Sequence, residues 1–150
     1  MTTAASVPVV TLSSCKPGDG ATLSTIFPGV TWVMTAKPLS GGTCTQTANG
    51  GAAIVVVNHA PTNTATDLVH TFAKALPPVP GHKALPDLGL SGASAGEYLV
   101  AGGATSYLLE IATPTTLIAV QATVPDAQAG SATPAQVAAK ILTWAVAQKP

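Results

Sequence analysis

Alternation of apolar and polar positions dominates the first half of the chain. In VTWVMT (30–35), Val30, Trp32 and Met34 share one side of an extended segment and the other side carries two threonines, which predicts a half-buried strand. TCTQT (43–47) predicts a second strand. The NGG at 49–51 then predicts a hairpin into AAIVVVNHA (52–60), the central and most buried strand of this half.

Helical periods flank these strands. DGATLSTIF predicts a short helix over 20–27 that ends at Pro28-Gly29. A second helix is predicted within 61–76, with Thr66 as its N-cap. The spacing predicts that its apolar face consists of Leu68, Phe72, Ala75 and Leu76.

The second half follows the same order of elements. EYLVA, SYLLEIA and TLIAVQATV are three predicted strands, and the polar stretch PDAQAGSATP leads to a final helix. Thr133-Pro134 is an N-cap and first-turn pair, and Val137, Ile141 and Trp144 recur at helical spacing behind it.

This order predicts an α+β fold in one domain, 1–150. We expect an antiparallel sheet built from two pseudo-repeated β-β-β-α halves, with the helices packed on one face. The halves are 15–76 and 89–148, and the proline-punctuated segment 77–88 links them as an extended crossover.

Charge is scarce in this sequence. Asp, Glu, Lys and Arg make up 8% of the 150 residues, against about 25% in ordinary soluble domains. Six lysines balance six acids, and arginine is absent. Without a basic patch we expect no nucleic-acid partner, and without a phosphate-gripping motif we expect no cofactor. The longest apolar stretch is interrupted by Glu110 and Pro114, so no transmembrane span is expected.

The two cysteines predict a disulfide. Cys15 and Cys44 lack the spacing and the neighbouring ligands of a metal or redox motif, and an even count in a Thr-, Gly- and Pro-rich chain favours pairing. The bridge would join the first helix to the sheet and indicates an extracytoplasmic protein, secreted or anchored to the cell envelope. We expect the native protein to carry its signal or anchor ahead of Met1; two free thiols in a cytosolic protein are the alternative.

The stretch GASAG at 92–96 matches the G-x-S-x-G pattern of many serine hydrolases. In those enzymes the serine stands between a strand and a helix, whereas Ser94 follows a proline- and glycine-broken segment and precedes a predicted strand. We therefore interpret the stretch as a loop in which Gly89, Gly92 and Gly96 supply unusual backbone angles.

The histidines offer a second set of candidates. His59 ends the central strand beside Asn58. It could belong to a ligand-binding site or be an ordinary histidine with its hydrogen bonds satisfied by the fold. His70 is expected on the solvated side of its helix and His82 in the linker. No spacing predicts a metal site.

Two further patterns each have a functional and an ordinary structural interpretation. Glu97 and Glu110 would make a pair of carboxylates if their strands form a hairpin, but both could equally face water, and we assign them no role. Thr43, Thr45 and Thr47 alternate strictly and could form an adhesive face or an ordinary solvated strand.

The stretches SSCKPGDGATLSTIFPG, GGTCTQTANGGAAIVVV, LPDLGLSGASAGEYLV and TPAQVAAKILTWAV occur in an order that resembles a family of actinobacterial lipoproteins of unknown function. That family is similar to extracytoplasmic sensor domains of serine/threonine kinases. The resemblance implies a tethered or secreted envelope domain and implies no catalytic residues.

The sequence as a whole predicts a non-enzymatic extracytoplasmic domain. Its partner would be a small molecule, a cell-envelope ligand or a protein, bound in a cleft between the two half-sheets. The candidate lining residues are Asn58, His59, Ser91 and Ser94. The alternatives are a small serine hydrolase using Ser94 with His59 or His82, and a structural or adhesive module using the threonine face.

Overall fold

A computed structural model describes residues 15–39, 43–76 and 81–148, and within these ranges the chain forms seven strands and four helices. The strands are β1 (Val33–Pro38), β2 (Cys44–Gly50), β3 (Ala53–Pro61), β4 (Lys83–Leu85), β5 (Ser94–Ala101), β6 (Ala104–Ala112) and β7 (Thr116–Pro125). The helices are α1 (Gly20–Ile26), α2 (Ala65–Lys74), α3 (Asp126–Ala129) and α4 (Pro134–Ala147).

All seven strands belong to one antiparallel sheet in the order β1-β2-β3-β7-β6-β5-β4. Each half contributes a meander of hairpins, and the meanders meet where β3 pairs with β7, with Val57 opposite Val120. The predicted α+β class with an antiparallel sheet is confirmed. The predicted linker contributes one strand to the sheet, because β4 at 83–85 pairs with β5 at the sheet edge. Residues 77–80 of the linker lie outside the described ranges.

The strict alternation of strand residues gives the sheet two different faces. We call the face that carries Val55, Val57, Leu109 and Val120 the core face; these side chains are fully buried. We call the face that carries their neighbours, among them Val56, Leu108 and Gln121, the outer face. Opposite residues in an antiparallel pair project to the same side, so the registers assign every strand position to one face.

The helices α1 and α4 cover the core face. Val137, Ile141 and Trp144 are buried there as the periodicity predicts, together with Leu23 and Phe27 of the α1 region. The indole nitrogen of Trp144 donates a hydrogen bond to the Asp19 carbonyl at 3.2 Å. At the start of α4, Thr133 and Gln136 form a reciprocal capping box, which confirms the predicted helix start.

The helix α2 packs on the outer face instead. Ala65 and Val69 are buried against Ala95 and Ala112, whose side chains project away from the core face. The predicted apolar face of this helix is wrong in part, since Leu68 is 45% exposed while Val69 is buried. The helix also begins earlier than predicted, after Thr64 rather than after Thr66.

The pseudo-repeat is not confirmed. Both halves run through three strands to a helix, yet α2 and α4 lie on opposite faces of the sheet. A two-fold axis perpendicular to the sheet would exchange β3 with β7 and would keep both helices on one face. The shared order of elements is therefore present without that symmetry.

The predicted disulfide joins Cys15 to Cys44, with Cα atoms 5.6 Å apart. Cys15 lies ahead of α1 and Cys44 is the first residue of β2, so the bridge ties the helical layer to the sheet. Closing a loop of 29 residues stabilises the fold by roughly 3–4 kcal/mol in the chain-entropy model. Among the described helices, none has the length and apolar content needed to cross a bilayer.

Candidate functional site

A pocket of about 360 Å³ opens on the outer face of the sheet, beside the part that α2 covers. Ile54, Val56 and Leu108 form an apolar floor, and Ser106, Gln121 and Thr123 add polar groups to it. His82 and Glu97 stand at the β4 side of the pocket. Its volume falls within the range of small-molecule sites, about 300–1,000 Å³.

Strand registers place these side chains together. Glu97, Leu108, Gln121 and Val56 are consecutive partners across β5, β6, β7 and β3, so they form one row on the outer face. A second row, made by Ser106, Thr123 and Ile54, lies directly beside it. Strands spaced about 4.8 Å apart give the first row a span of roughly 14 Å.

Glu97 is the most unusual member of this site. It is 2% exposed, and its Oε1 lies 3.4 Å from Nδ1 of His82 without hydrogen-bond geometry. Its Oε2 is buried and has no hydrogen-bond partner among the described residues. A buried carboxylate oxygen without a donor costs free energy, so such groups are rare in folded proteins and call for an explanation.

A second carboxylate lies close by. Glu110 of β6 projects to the outer face diagonally from Glu97, because Leu108, two positions before it, is the partner of Glu97. Burial raises the pKa of the Glu110 carboxyl above its ordinary value. The nearest lysine in sequence, Lys83, pairs with Tyr98 and therefore projects to the core face. The strands of Glu97 and Glu110 thus form the hairpin that the sequence analysis left open, and both carboxylates are on the same face.

The predicted pair Asn58 and His59 is split between the two faces. Asn58 projects to the outer face, where its Oδ1 accepts a hydrogen bond from the Thr45 hydroxyl. His59 projects to the core face opposite Cys44 and Ile118, is 3% exposed, and has a buried Nε2 without a partner among the described residues. Burial lowers the pKa of this imidazole. Neither residue lines the outer-face pocket.

The predicted serines lie at the start of β5. Ser91 is exposed in the loop, and Ser94 is buried on the core face. His59, Ile118, Ile111 and Ser94 form one row across four strands, so two isoleucines separate the histidine from the serine. His82 lies on the opposite face from Ser94. The structure brings neither histidine of the hydrolase hypothesis to the Ser94 hydroxyl.

The glycines around Ser94 serve two purposes. Gly89 and Gly92 have φ values of 69° and 92°, as the loop interpretation predicts. For Gly96 that interpretation is wrong: it lies within β5, and a Cβ there would be 2.3 Å from Cδ2 of Leu109. Gly96 is needed for the close approach of this neighbouring side chain rather than for its backbone angle.

A second pocket, of about 370 Å³, lies where this loop meets α2. Val69, His70 and Ala73 of the helix line it, together with Asp87 and Ser94. His70 is exposed, as predicted, and Asp87 accepts a hydrogen bond from the Gly89 backbone. This pocket contains one predicted site residue, Ser94, and the buried hydroxyl of that residue also has no hydrogen-bond partner among the described residues.

Within the described ranges no three His, Cys, Asp or Glu side chains gather in a way that could hold a metal ion. Comparison of the chain with protein-family models, with curated proteins and with solved structures finds no match.

Proposed function

We propose that this protein is a non-enzymatic extracytoplasmic domain that binds a small ligand of the cell envelope in the outer-face pocket. The observation that carries the proposal is the buried Oε2 of Glu97, which lacks a partner among the described residues while its residue lines a pocket with an apolar floor. Apolar pockets with a few convergent polar groups are the usual form of ligand sites.

The rest of the fold supports a binding role for this pocket. Helices α1 and α4 bury the core face, and α2 covers only the part of the outer face around Ala95 and Ala112. The rest of the outer face carries exposed apolar side chains such as Ile54, which is 41% exposed and which a ligand would cover.

The compartment is part of the proposal. The Cys15–Cys44 disulfide is compatible with an oxidising environment, where such bonds persist. The resemblance of the sequence to envelope lipoproteins favours secretion or anchoring at the cell surface.

The proposal is tested by titrating ¹⁵N-labelled protein with a set of small aliphatic and aromatic amines, alcohols and carboxylates. We expect saturable amide shift changes that cluster at Ser106, Leu108 and Gln121. Shifts confined to the α2 loop near Ser94, or no saturable shifts for any compound in the set, would contradict the pocket assignment.

Two tryptophan variants provide the matched control. Gln121→Trp places a large ring on the pocket floor at an exposed position, and Thr35→Trp places the same ring on the same face outside the pocket. We expect the first variant to lose binding and the second to retain it.

A further inference from the structure

The charge distribution around the outer-face pocket indicates what kind of ligand it selects. We infer that the pocket binds a primary ammonium group attached to an apolar body, with the ammonium at Glu97 and the body on Ile54, Val56 and Leu108. This inference rests on the proposed function and adds the chemical class of the ligand.

The first argument is the hydrogen-bonding state of Glu97. An ionised carboxylate is an acceptor only, and the Oε2 of this one has no donor among the described residues. An ammonium group supplies three donors and a positive charge, and charge-assisted hydrogen bonds of this kind are about twice as strong as neutral ones. An ionised carboxylate on the ligand would bring only further acceptors.

The second argument is the charge of the surrounding face. Glu110 lies diagonally across from Glu97 on the same face, and Lys83 projects to the other side of the sheet. Among the described residues no lysine lines the pocket, and the whole chain has no arginine. The imidazole of His82 faces the other carboxylate oxygen, with its Nδ1 3.4 Å from Oε1 of Glu97. The electrostatic environment therefore favours a cation at Oε2 and disfavours an anion.

The third argument is the position of the apolar floor. Leu108 is the direct cross-strand partner of Glu97, and Val56 lies two strands further in the same row, past Gln121. A six-carbon chain attached to an ammonium at Glu97 can extend over Leu108 toward Val56. Covering these side chains contributes roughly 0.8 kcal/mol for each methylene group removed from water.

The test compares three probes of equal length, n-hexylammonium, 1-hexanol and hexanoate, by NMR titration of the wild-type protein. We expect n-hexylammonium to bind about tenfold more tightly than 1-hexanol, with hexanoate the weakest. Glu97→Gln should reduce the hexylammonium affinity to that of the alcohol. Glu110→Gln, a matched change on the next strand, should leave hexylammonium the preferred probe.

A second variant tests the same site in case the Glu97→Gln protein does not fold. Ser106→Lys changes an exposed residue and places an ammonium group of the chain itself in the pocket. It should abolish binding of n-hexylammonium, whereas Thr35→Lys, which places the same charge on the same face outside the pocket, should not.

Equal or tighter binding of 1-hexanol or hexanoate would overturn the ammonium assignment, and so would an unchanged preference in folded Glu97→Gln. If these probes still shift the pocket amides, the proposed function survives that result. Absence of binding by all three probes overturns the ammonium assignment, and the wider compound set then decides whether the pocket itself fails.

Discussion

At the scale of single residues, two buried polar side chains set the chemistry of the two faces. Glu97 belongs to the outer face and lines a pocket, and its buried Oε2 has no hydrogen-bond partner among the described residues. His59 belongs to the core face beside the disulfide and lines neither the outer-face pocket nor the second pocket at α2. Its burial therefore affects stability rather than binding.

The lowered pKa of His59 predicts a pH dependence of stability. Its ordinary pKa is 6.5, and burial favours the neutral imidazole in the folded state. Below pH 6.5 the unfolded chain takes up a proton that the folded chain refuses, so the free energy of unfolding falls, by at most about 1.4 kcal/mol per pH unit. Urea unfolding of wild type and His59→Gln between pH 7 and 5 measures this contribution, and the variant should lose it.

Two other groups bear on that experiment. Burial raises the pKa of Glu110 above its ordinary 4.5, so the folded state binds the extra proton there and stability rises as the pH falls toward 4.5. The two effects oppose each other, and for that reason the comparison uses the difference between wild type and variant. His70→Gln, at an exposed position, is the matched control and should retain the wild-type pH dependence. An identical dependence in His59→Gln would show that His59 is not the titrating group.

At the scale of elements, α4 shows how local signals and packing contribute separately. Thr133→Ala should lower the free energy of unfolding by about 1 kcal/mol, because the backbone N–H of Gln136 loses the Thr133 hydroxyl as its hydrogen-bond acceptor. Thr143→Ala makes the same chemical change at an exposed mid-helix position and should cost less than about 0.5 kcal/mol. Equal losses in urea denaturation would refute the capping assignment.

The buried side of α4 has its own matched pair. Val137 is 2% exposed on the core face and Val146 is 42% exposed on the same helix. Val137→Ala should lower the free energy of unfolding by about 2 kcal/mol, through lost burial and the cavity left behind. Val146→Ala should have a small effect. Thermal unfolding of both variants checks the assignment, and a larger loss at Val146 would place the wrong side of the helix against the sheet.

Elements with strong local signals could be predicted from the sequence. Thr133-Pro134 identified the start of α4, and the apolar run in AAIVVVNHA after the NGG turn identified β3 with its bounds shifted by one residue. The helix α2 shows where such reasoning fails. Both Leu68 and Val69 are compatible with an apolar face, and contact with Ala95 and Ala112 on distant strands decides which residue is buried.

No single segment of the sequence predicts the candidate pocket. Glu97, Leu108, Gln121 and Val56 come from four strands, and their proximity follows from the pairing of β3 with β7. The sequence indicated Glu97 and Glu110 as a pair only on the condition of a hairpin, and it carried no signal for Gln121. Asn58 and His59 were grouped because they are adjacent, although neighbours on a strand project to opposite faces.

At the scale of the whole molecule, the disulfide connects layers that the sheet alone does not join. Reduction of Cys15–Cys44 should lower the free energy of unfolding by roughly 3–4 kcal/mol, since the unfolded chain regains the entropy of an open loop. Urea midpoints with and without a reductant measure the loss. The double variant Cys15→Ala with Cys44→Ala should show no response to the reductant, and a wild-type midpoint that does not move would contradict the stabilising role.

The central claim is that the outer face, and not the core face, binds a ligand. The most direct measurement is a set of intermolecular nuclear Overhauser effects between a bound six-carbon probe (n-hexylammonium, 1-hexanol or hexanoate) and the methyl groups of the protein. We predict contacts from the probe to Ile54, Val56 and Leu108. Contacts to Ile111, Ile118 or Val120 of the core face would contradict the account.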